Sequence, residues 1–105
     1  MITDKKFISY TEELRKKYGR ISLGVFLMSW RTAEGLTQAK FARKLGLSPA
    51  NLCDIEQGRR IPSPGRALKI AKKLGLPEKG IIVMAIEDAL EKNGLSYTVE
   101  LKEVA

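Results

Sequence analysis

Apolar residues recur three and four positions apart in six segments of the chain, which is the periodicity of amphipathic α-helices. Each segment begins at a capping residue or a proline, and each is followed by a glycine. These signals predict helices over residues 3–18, 22–34, 37–45, 48–57, 63–74 and 77–93. Thr3 is the expected N-cap of the first helix. The pattern therefore predicts an all-α protein.

The spacing of small and apolar residues between positions 38 and 55 predicts that the third and fourth helices pack closely together. Ala42 is small enough for two helices to cross, and Gly46 can adopt the left-handed conformation that ends a helix abruptly. Leu52 and Ile55 lie three positions apart, so they share the face that packs back on the third helix. This arrangement predicts a helix-turn-helix, whose second helix is held for insertion into a major groove.

The second and sixth helices carry more apolar positions than one buried face needs. In the second helix the expected core stripe is Leu23, Phe26, Leu27, Trp30 and Ala33. Another face of that helix is the expected seat of the N-terminal helix: Ile21, Val25 and Met28. In the sixth helix the expected core stripe is Ile81, Ile82, Ala85, Ile86 and Ala89, with a second stripe of Val83 and Met84. Core packing and a subunit interface explain that second stripe equally well.

The C-terminal tail departs from the helical pattern. Tyr97, Val99 and Leu101 alternate with polar residues, which predicts a short β-strand. No other segment has a strand pattern, so this strand has no expected partner in its own chain. We therefore expect it to pair with another chain or to remain flexible.

The composition argues against an enzyme, a metalloprotein and a membrane protein. The 105 residues suffice for one domain with a modest core, and they include no histidine and one cysteine. We therefore expect no zinc site or other metal, no histidine-activated nucleophile, no disulfide framework and no cofactor. Residues 1–20 are charged throughout and no apolar run approaches about 18 residues, so neither a secretion signal nor a membrane span is expected. A cytoplasmic location is expected.

The net charge of +7 is concentrated in the central part of the chain. Residues 22–76 contain ten basic and three acidic side chains, whereas residues 77–105 contain three basic and six acidic ones. The positive charge thus coincides with the helix-turn-helix and its immediate flanks. A polyanion is the expected partner of this segment.

Short runs within this basic segment resemble the Xre family of helix-turn-helix regulators, which includes phage repressors and Cro proteins. The matching runs are Gly-Leu-Thr-Gln-Ala at 35–39, Phe-Ala at 41–42, Leu-Gly-Leu-Ser at 45–48 and Ile-Glu-Gln-Gly-Arg-Arg-Ile-Pro-Ser at 55–63. The resemblance implies a five-helix, phage-repressor-like DNA-binding core over residues 22–76. Such a core binds double-stranded DNA operators as a homodimer. Residues 1–21 would add an N-terminal helix, and residues 77–105 a helix and short strand for dimerisation or partner binding, within a single domain.

The resemblance also implies which residues contact DNA. Those expected at phosphates are Gln38, Arg43, Lys44, Ser48, Arg59 and Arg60. Those expected to face the bases from the recognition helix, residues 48–57, are Pro49, Ala50, Asn51 and Asp54. Asn51 can pair with adenine, and Asp54 can accept a hydrogen bond from cytosine, but the set has few donors and phosphates would repel Asp54. The family often joins the positions of Arg31 and Glu56 in a structural ion pair, which we expect here.

Three functions are compatible with these observations. The leading one is a dimeric, sequence-specific repressor that binds a pseudo-palindromic operator. The alternative is an antitoxin, in which the unpaired tail strand and the acidic Glu87, Asp88 and Glu91 would bind a basic toxin and the helix-turn-helix would repress the operon. A third is a protein-binding adaptor that has lost DNA binding, against which the basic Arg59-Arg60 loop argues.

Overall fold

The computed structural model describes residues 4–104, apart from the side chains of residues 4 and 8, so the expected cap Thr3 lies outside the described residues. This part of the chain forms helices α1 (Asp4–Tyr18), α2 (Leu23–Ala33), α3 (Gln38–Leu45), α4 (Pro49–Glu56), α5 (Pro64–Leu74) and α6 (Glu78–Lys92). The all-α prediction and its helix boundaries are confirmed to within one or two residues. No helix within residues 4–104 combines the length and apolar character needed to cross a bilayer.

Side-chain capping starts the four central helices where the sequence predicts. The hydroxyls of Ser22, Thr37, Ser48 and Ser63 each accept a hydrogen bond from the backbone N–H three residues later. Proline follows the cap in α4 and α5, where its missing N–H leaves no helical bond unmade.

The core lies where α4 packs against α2 and α3, and where α5 packs against α3 and α6. Its fully buried centre includes Leu23, Phe26, Leu27, Phe41, Leu52, Ile70 and Ile81. The predicted stripe of α2 is right except at Ala33, which is exposed. Trp30 is half-buried and packs against Phe26, with ring centroids 6.2 Å apart.

The N-terminal helix packs on Phe26, and the seat predicted for it is only partly right, since Ile21 is buried but Val25 is exposed. Phe7 and Tyr10 pack edge-on against Phe26, with ring centroids 5.5 and 5.8 Å apart. Phe7 also lies directly over Gly80 of α6, where the missing side chain leaves room for the ring. Val25, part of the predicted seat, is 39% exposed. An aromatic cluster offers more apolar contact than the Val25 face, and this difference decides where α1 packs.

The predicted core stripe of α6 is partly right, since Met84 is buried with it and Ala89 is not. Ile81, Met84 and Ala85 are buried, whereas Ala89 is exposed. Val83 and Met84 line an open cavity of about 350 Å³ that α1 and the C-terminal tail also line. The second apolar stripe of α6 is thus covered in part by its own chain.

The strand prediction for the tail is wrong. No strand occurs within residues 4–104, and the tail runs in an extended conformation alongside α1 and α6. The backbone N–H of Val99 donates to the Glu87 carboxylate, with N and Oε2 3.0 Å apart, instead of to another strand. Val99 and Leu101 are half-buried, while Tyr97 is 68% exposed. The alternation of apolar and polar residues in the tail arises because one side of the tail contacts helices. Periodicity alone cannot distinguish such a segment from a strand in a sheet.

Two other acidic residues of α6 also bind groups of their own chain. The carboxylate of Asp88 accepts the backbone N–H of Leu23 at 2.9 Å and a guanidinium N–H of Arg20 at 2.6 Å. Glu91 lies 3.2 Å from the same guanidinium. Asp88 therefore satisfies a free N–H at the start of α2 and fixes α6 against it.

Candidate nucleic-acid interface

The turn between α3 and α4 has the predicted helix-turn-helix geometry. Gly46 adopts a φ of 72°, and the N–H groups of Gly46 and Leu47 donate to the last carbonyls of α3. Ala42 is fully buried at the crossing. The chain then reverses within three residues and α4 begins immediately after Ser48. The two helices are thus joined by a short, hydrogen-bonded turn.

Helix α4 is buried on one face and open on the other. Leu52, Ile55 and Glu56 are buried, whereas Pro49 and Ala50 in its first turn are exposed. An eight-residue helix has too few turns to be stable alone, so its orientation depends on what holds the buried face.

Close contact with α2 fixes the C-terminal end of α4. Gly24 lies so near Ile55 that a Cβ atom built on it would be 2.0 Å from the carbonyl oxygen. Only glycine allows the two backbones to approach this closely. Helix α2 therefore acts as a rigid support behind α4.

The predicted ion pair between Arg31 and Glu56 is confirmed. The guanidinium donates twice to the carboxylate, with Nε–Oε2 and Nη2–Oε1 distances of 2.8 and 3.1 Å, and once to the carbonyl of Leu36 at 3.0 Å. The Glu56 side chain is 0% exposed. Hydrogen bonding to Glu56 raises the pKa of Arg31 above its usual value. The pair joins α2 and α4 to the loop before α3.

Gln38 belongs to the same buried network. Its amide Nε2 donates to Glu56 Oε1 at 2.9 Å, so one of its two N–H groups already has a partner. The other N–H remains for an external acceptor. Gln38 is therefore part of the scaffold as well as an expected phosphate contact.

The remaining predicted residues lie at several places around α4. Ser48 is exposed, and its hydroxyl accepts the N–H of Asn51 while keeping its own proton for donation. Asn51 is half-buried. Arg43 and Lys44 are exposed in the last turn of α3, about 8 Å along the helix axis from Gln38. Residues at the two ends of α3 would therefore reach different phosphates.

Asp54 and Arg59, which sequence reasoning assigned to a base and a phosphate, contact each other. Arg59 Nε donates to Asp54 Oδ1 at 2.9 Å, and Nη2 lies 3.6 Å from the sulfur of Cys53. Hydrogen bonding to Asp54 raises the pKa of Arg59 above its usual value. The carboxylate on α4 is thus neutralised by its own chain, which lowers its expected repulsion by DNA.

Arg66 is a candidate site residue that sequence reasoning missed. It lines a cavity of about 210 Å³ beside α4 together with Asn51 and Arg60. Arg66 lies in the first turn of α5, where the helix dipole disfavours a cation and where no acidic residue compensates it. The sequence could have indicated Arg66, because a basic residue in the first turn of a helix is unfavourable for helix stability and therefore suggests another role.

Comparison with known proteins places the sequence match over this same region. The family model described as "Helix-turn-helix" matches residues 27–81. Endothelial differentiation-related factor 1 of Homo sapiens is 34% identical over 70 residues, which cover 67% of this chain and 47% of that protein. An uncharacterized HTH-type transcriptional regulator of Methanocaldococcus jannaschii is 39% identical over 57 residues, covering 54% of this chain and 86% of that protein. No solved structure matches.

The chain spans about half the length of the vertebrate relatives it matches, so the likeness to them concerns this domain and not the whole of those proteins. The archaeal relative is matched over most of its length. The matched segment contains the α3–α4 turn, the buried Arg31–Glu56 pair and the open face of α4. From the family match and this geometry together, the chain belongs to the Xre/Cro-type helix-turn-helix family of DNA-binding regulators.

Proposed function

We propose that the chain is a sequence-specific transcription regulator, a repressor that binds a pseudo-palindromic operator as a homodimer through α4. The observation that carries the proposal is the contrast between the two faces of α4. Its inner face is locked by Gly24 and Glu56, while on the opposite face Pro49 and Ala50 are exposed and Asn51 is half-buried at its edge. A short helix held this way can enter a major groove without reorganising.

The charge around α4 supports a DNA partner. Arg60 and Arg66 flank Asn51 at one edge, and Arg43 and Lys44 extend the basic surface along α3. In this proposal these cations and the Ser48 hydroxyl bind phosphates, which gives affinity without sequence information. Asn51 would pair with adenine, and Ala50 would contact a thymine methyl group.

The homodimer is proposed because a single short helix offers little contact with DNA. Two copies related by a two-fold axis would place their α4 helices about 34 Å apart, one helical turn of DNA. Residues 77–105 are the proposed dimerisation segment. The archaeal relative is named a transcriptional regulator, which favours the same function here.

Of the features that favoured the antitoxin alternative, the free strand and the unpaired acidic residues do not occur within residues 4–104, although the extra N-terminal helix does. The tail packs along its own chain with Val99 bonded to Glu87, and the Asp88 and Glu91 carboxylates contact Arg20. Neither an unpaired strand nor an unpaired acidic face remains to attract a basic toxin. We therefore propose the regulator without a toxin partner.

Selection of bound duplexes from a random-sequence library, followed by affinity measurement at several salt concentrations, tests the proposal. We expect a consensus with two half-sites and a much weaker affinity for unrelated duplexes. Arg60→Ala should weaken binding to every duplex and reduce the salt slope by about one unit. Lys16→Ala on α1 is the matched control, since Lys16 is an exposed cation outside α3–α5. Equal affinity for all duplexes would contradict sequence specificity, and no binding would favour the adaptor.

A further inference from the structure

The chain after α4 folds back across the last turn of that helix. Gly58 adopts a φ of 79°, and the backbone N–H groups of Arg59 and Arg60 both donate to the carbonyl of Asp54, at 2.8 and 3.1 Å. This turn returns the Arg59 side chain to α4. Its guanidinium therefore lies on the recognition helix and not in the flanking loop where its sequence position suggests.

The partners of Arg59 fix the orientation of its guanidinium. Nε donates to Asp54 and one Nη2 hydrogen points to Cys53, so within the described residues three of the five N–H groups remain for another acceptor. Both Nη1 hydrogens are among them. A planar guanidinium held from its Nε side presents its terminal nitrogens as a pair.

The position of the pair places those nitrogens beside the residues expected at the bases. Asp54 follows Asn51 by three positions, so the two side chains share one face of α4. Asp54 is 37% exposed and Arg59 is 59% exposed, which leaves the outer side of the pair accessible. Guanine offers N7 and O6 on its major-groove edge, and these acceptors match two adjacent guanidinium N–H groups.

The charge of the pair argues for a base and against a phosphate as the partner. Arg59 and Asp54 together carry no net charge, so phosphate attraction to the guanidinium is opposed by the carboxylate at 2.9 Å. Hydrogen bonds to a base edge do not depend on net charge. The pair also adds donors to the few that the base-facing residues of α4 offer.

We infer that Arg59 is a specificity-determining residue that hydrogen-bonds to a guanine in the major groove, with Asp54 as its positioning residue. This inference rests on the proposed function. It changes the role of Arg59 from a phosphate contact to a base contact, and it gives Asp54 a role other than accepting from cytosine.

The experiment uses the full chain and the consensus duplex that the wild-type protein selects from a random library. Each guanine of the consensus is replaced in turn by 7-deazaguanine, which removes the N7 acceptor and leaves Watson–Crick pairing intact. At one guanine per half-site, we expect the wild-type protein to lose affinity by about 5- to 150-fold. Arg59→Ala should bind normal and modified duplexes equally, because the group that distinguishes them is gone.

Three further variants separate base contact from charge and from folding. Arg59→Lys keeps the charge but lacks the planar pair of donors, so it should not restore discrimination. Asp54→Ala should reduce discrimination at the same guanine while leaving the salt slope unchanged or steeper, which a merely structural loss would not do. Arg60→Ala, the neighbouring arginine, should weaken both duplexes by the same factor. Urea melts of all variants confirm that they fold.

Three results would overturn the inference, and they are distinguishable from one another. If Arg59→Ala weakens binding to every duplex equally and lowers the salt slope by about one unit, Arg59 binds a phosphate and only this inference fails. If the wild-type protein binds no duplex, the proposed function fails together with it. If discrimination persists at every guanine in Arg59→Ala, another residue contacts the bases and the inference is wrong.

Discussion

Replacing Gly24 with alanine should destabilise the protein by an amount unusual for so small a change. Gly24 lies within α2, where alanine is normally the better residue by about 1 kcal/mol. Here the added Cβ would lie 2.0 Å from the carbonyl oxygen of Ile55 and 3.0 Å from its carbonyl carbon. Both obstacles are backbone atoms, so no side-chain rotation relieves the contact.

The magnitude follows from how far α4 would have to move. Separations below 3.0 Å essentially do not occur for Cβ atoms, so α2 and α4 must part by at least 1 Å. Overpacking of this kind costs about 1–3 kcal/mol and occasionally more. We expect the upper end, because the same carbonyl accepts the N–H of Gly58 at 3.1 Å and cannot turn away from the added Cβ without losing that bond. With a urea m-value of about 1.5 kcal/mol/M, about 3 kcal/mol lowers the midpoint by about 2 M.

Gly65→Ala is the matched control for this prediction. Gly65 also lies in a helix, α5, but no atom lies within 4 Å of a Cβ built there and its φ is not positive. That variant should be stabilised by about 0.4–1 kcal/mol. Urea unfolding followed by circular dichroism measures both changes. If Gly24→Ala unfolds at the wild-type midpoint, the close support of α4 by α2 is refuted.

Three other perturbations test the supports around the interface. Arg31→Ala should cost about 3–5 kcal/mol in a urea melt, because it leaves the buried Glu56 carboxylate without a counter-charge. Arg31→Met combined with Glu56→Leu should recover much of that loss, and equal stability of the single and double variants would contradict this reasoning. Gly80→Ala should cost less, about 1–2 kcal/mol, because its Cβ would meet the edge of the Phe7 ring, which can tilt. Amide exchange in α1 should become faster, and unchanged exchange would contradict the packing of Phe7 on Gly80. Deleting residues 95–105 should lower the melting temperature, because it uncovers part of α6. Sedimentation of the same variant reports whether the tail contributes to dimerisation. An unchanged melting temperature would show that the tail packing does not stabilise the fold.

The recognition motif was predictable because its determinants are local. Caps, prolines and glycines act within a few residues, so Thr37, Gly46 and Ser48 define the ends of α3 and α4 without reference to the remaining fold. The small Ala42, at this spacing from Gly46 and Leu52, also predicts a close helix crossing. The Arg31–Glu56 pair was predictable only through the family resemblance.

The positions of the proposed DNA-contacting residues were predictable from the sequence, but their partners within the chain were not. The sequence placed Asp54 on the outer face of α4 and Arg59 in the following loop, and both placements agree with the structure. It did not indicate that they contact each other, since that contact depends on the left-handed turn at Gly58. Arg66 was overlooked because its neighbour Asn51 is 15 positions away.

The sequence by itself determined the number of helices, their ends, the helix-turn-helix and the site of positive charge, because these depend on periodicity, capping and composition. Only the tertiary structure decided that Gly24 supports α4, that α1 packs on Phe26 and Gly80, and that the tail bonds to Glu87 instead of forming a strand. These features depend on contacts between elements distant in sequence. The same local pattern of apolar residues occurs whether a segment is exposed, contacts a partner chain or packs on a neighbouring helix. Only the packing of the folded chain distinguishes these cases.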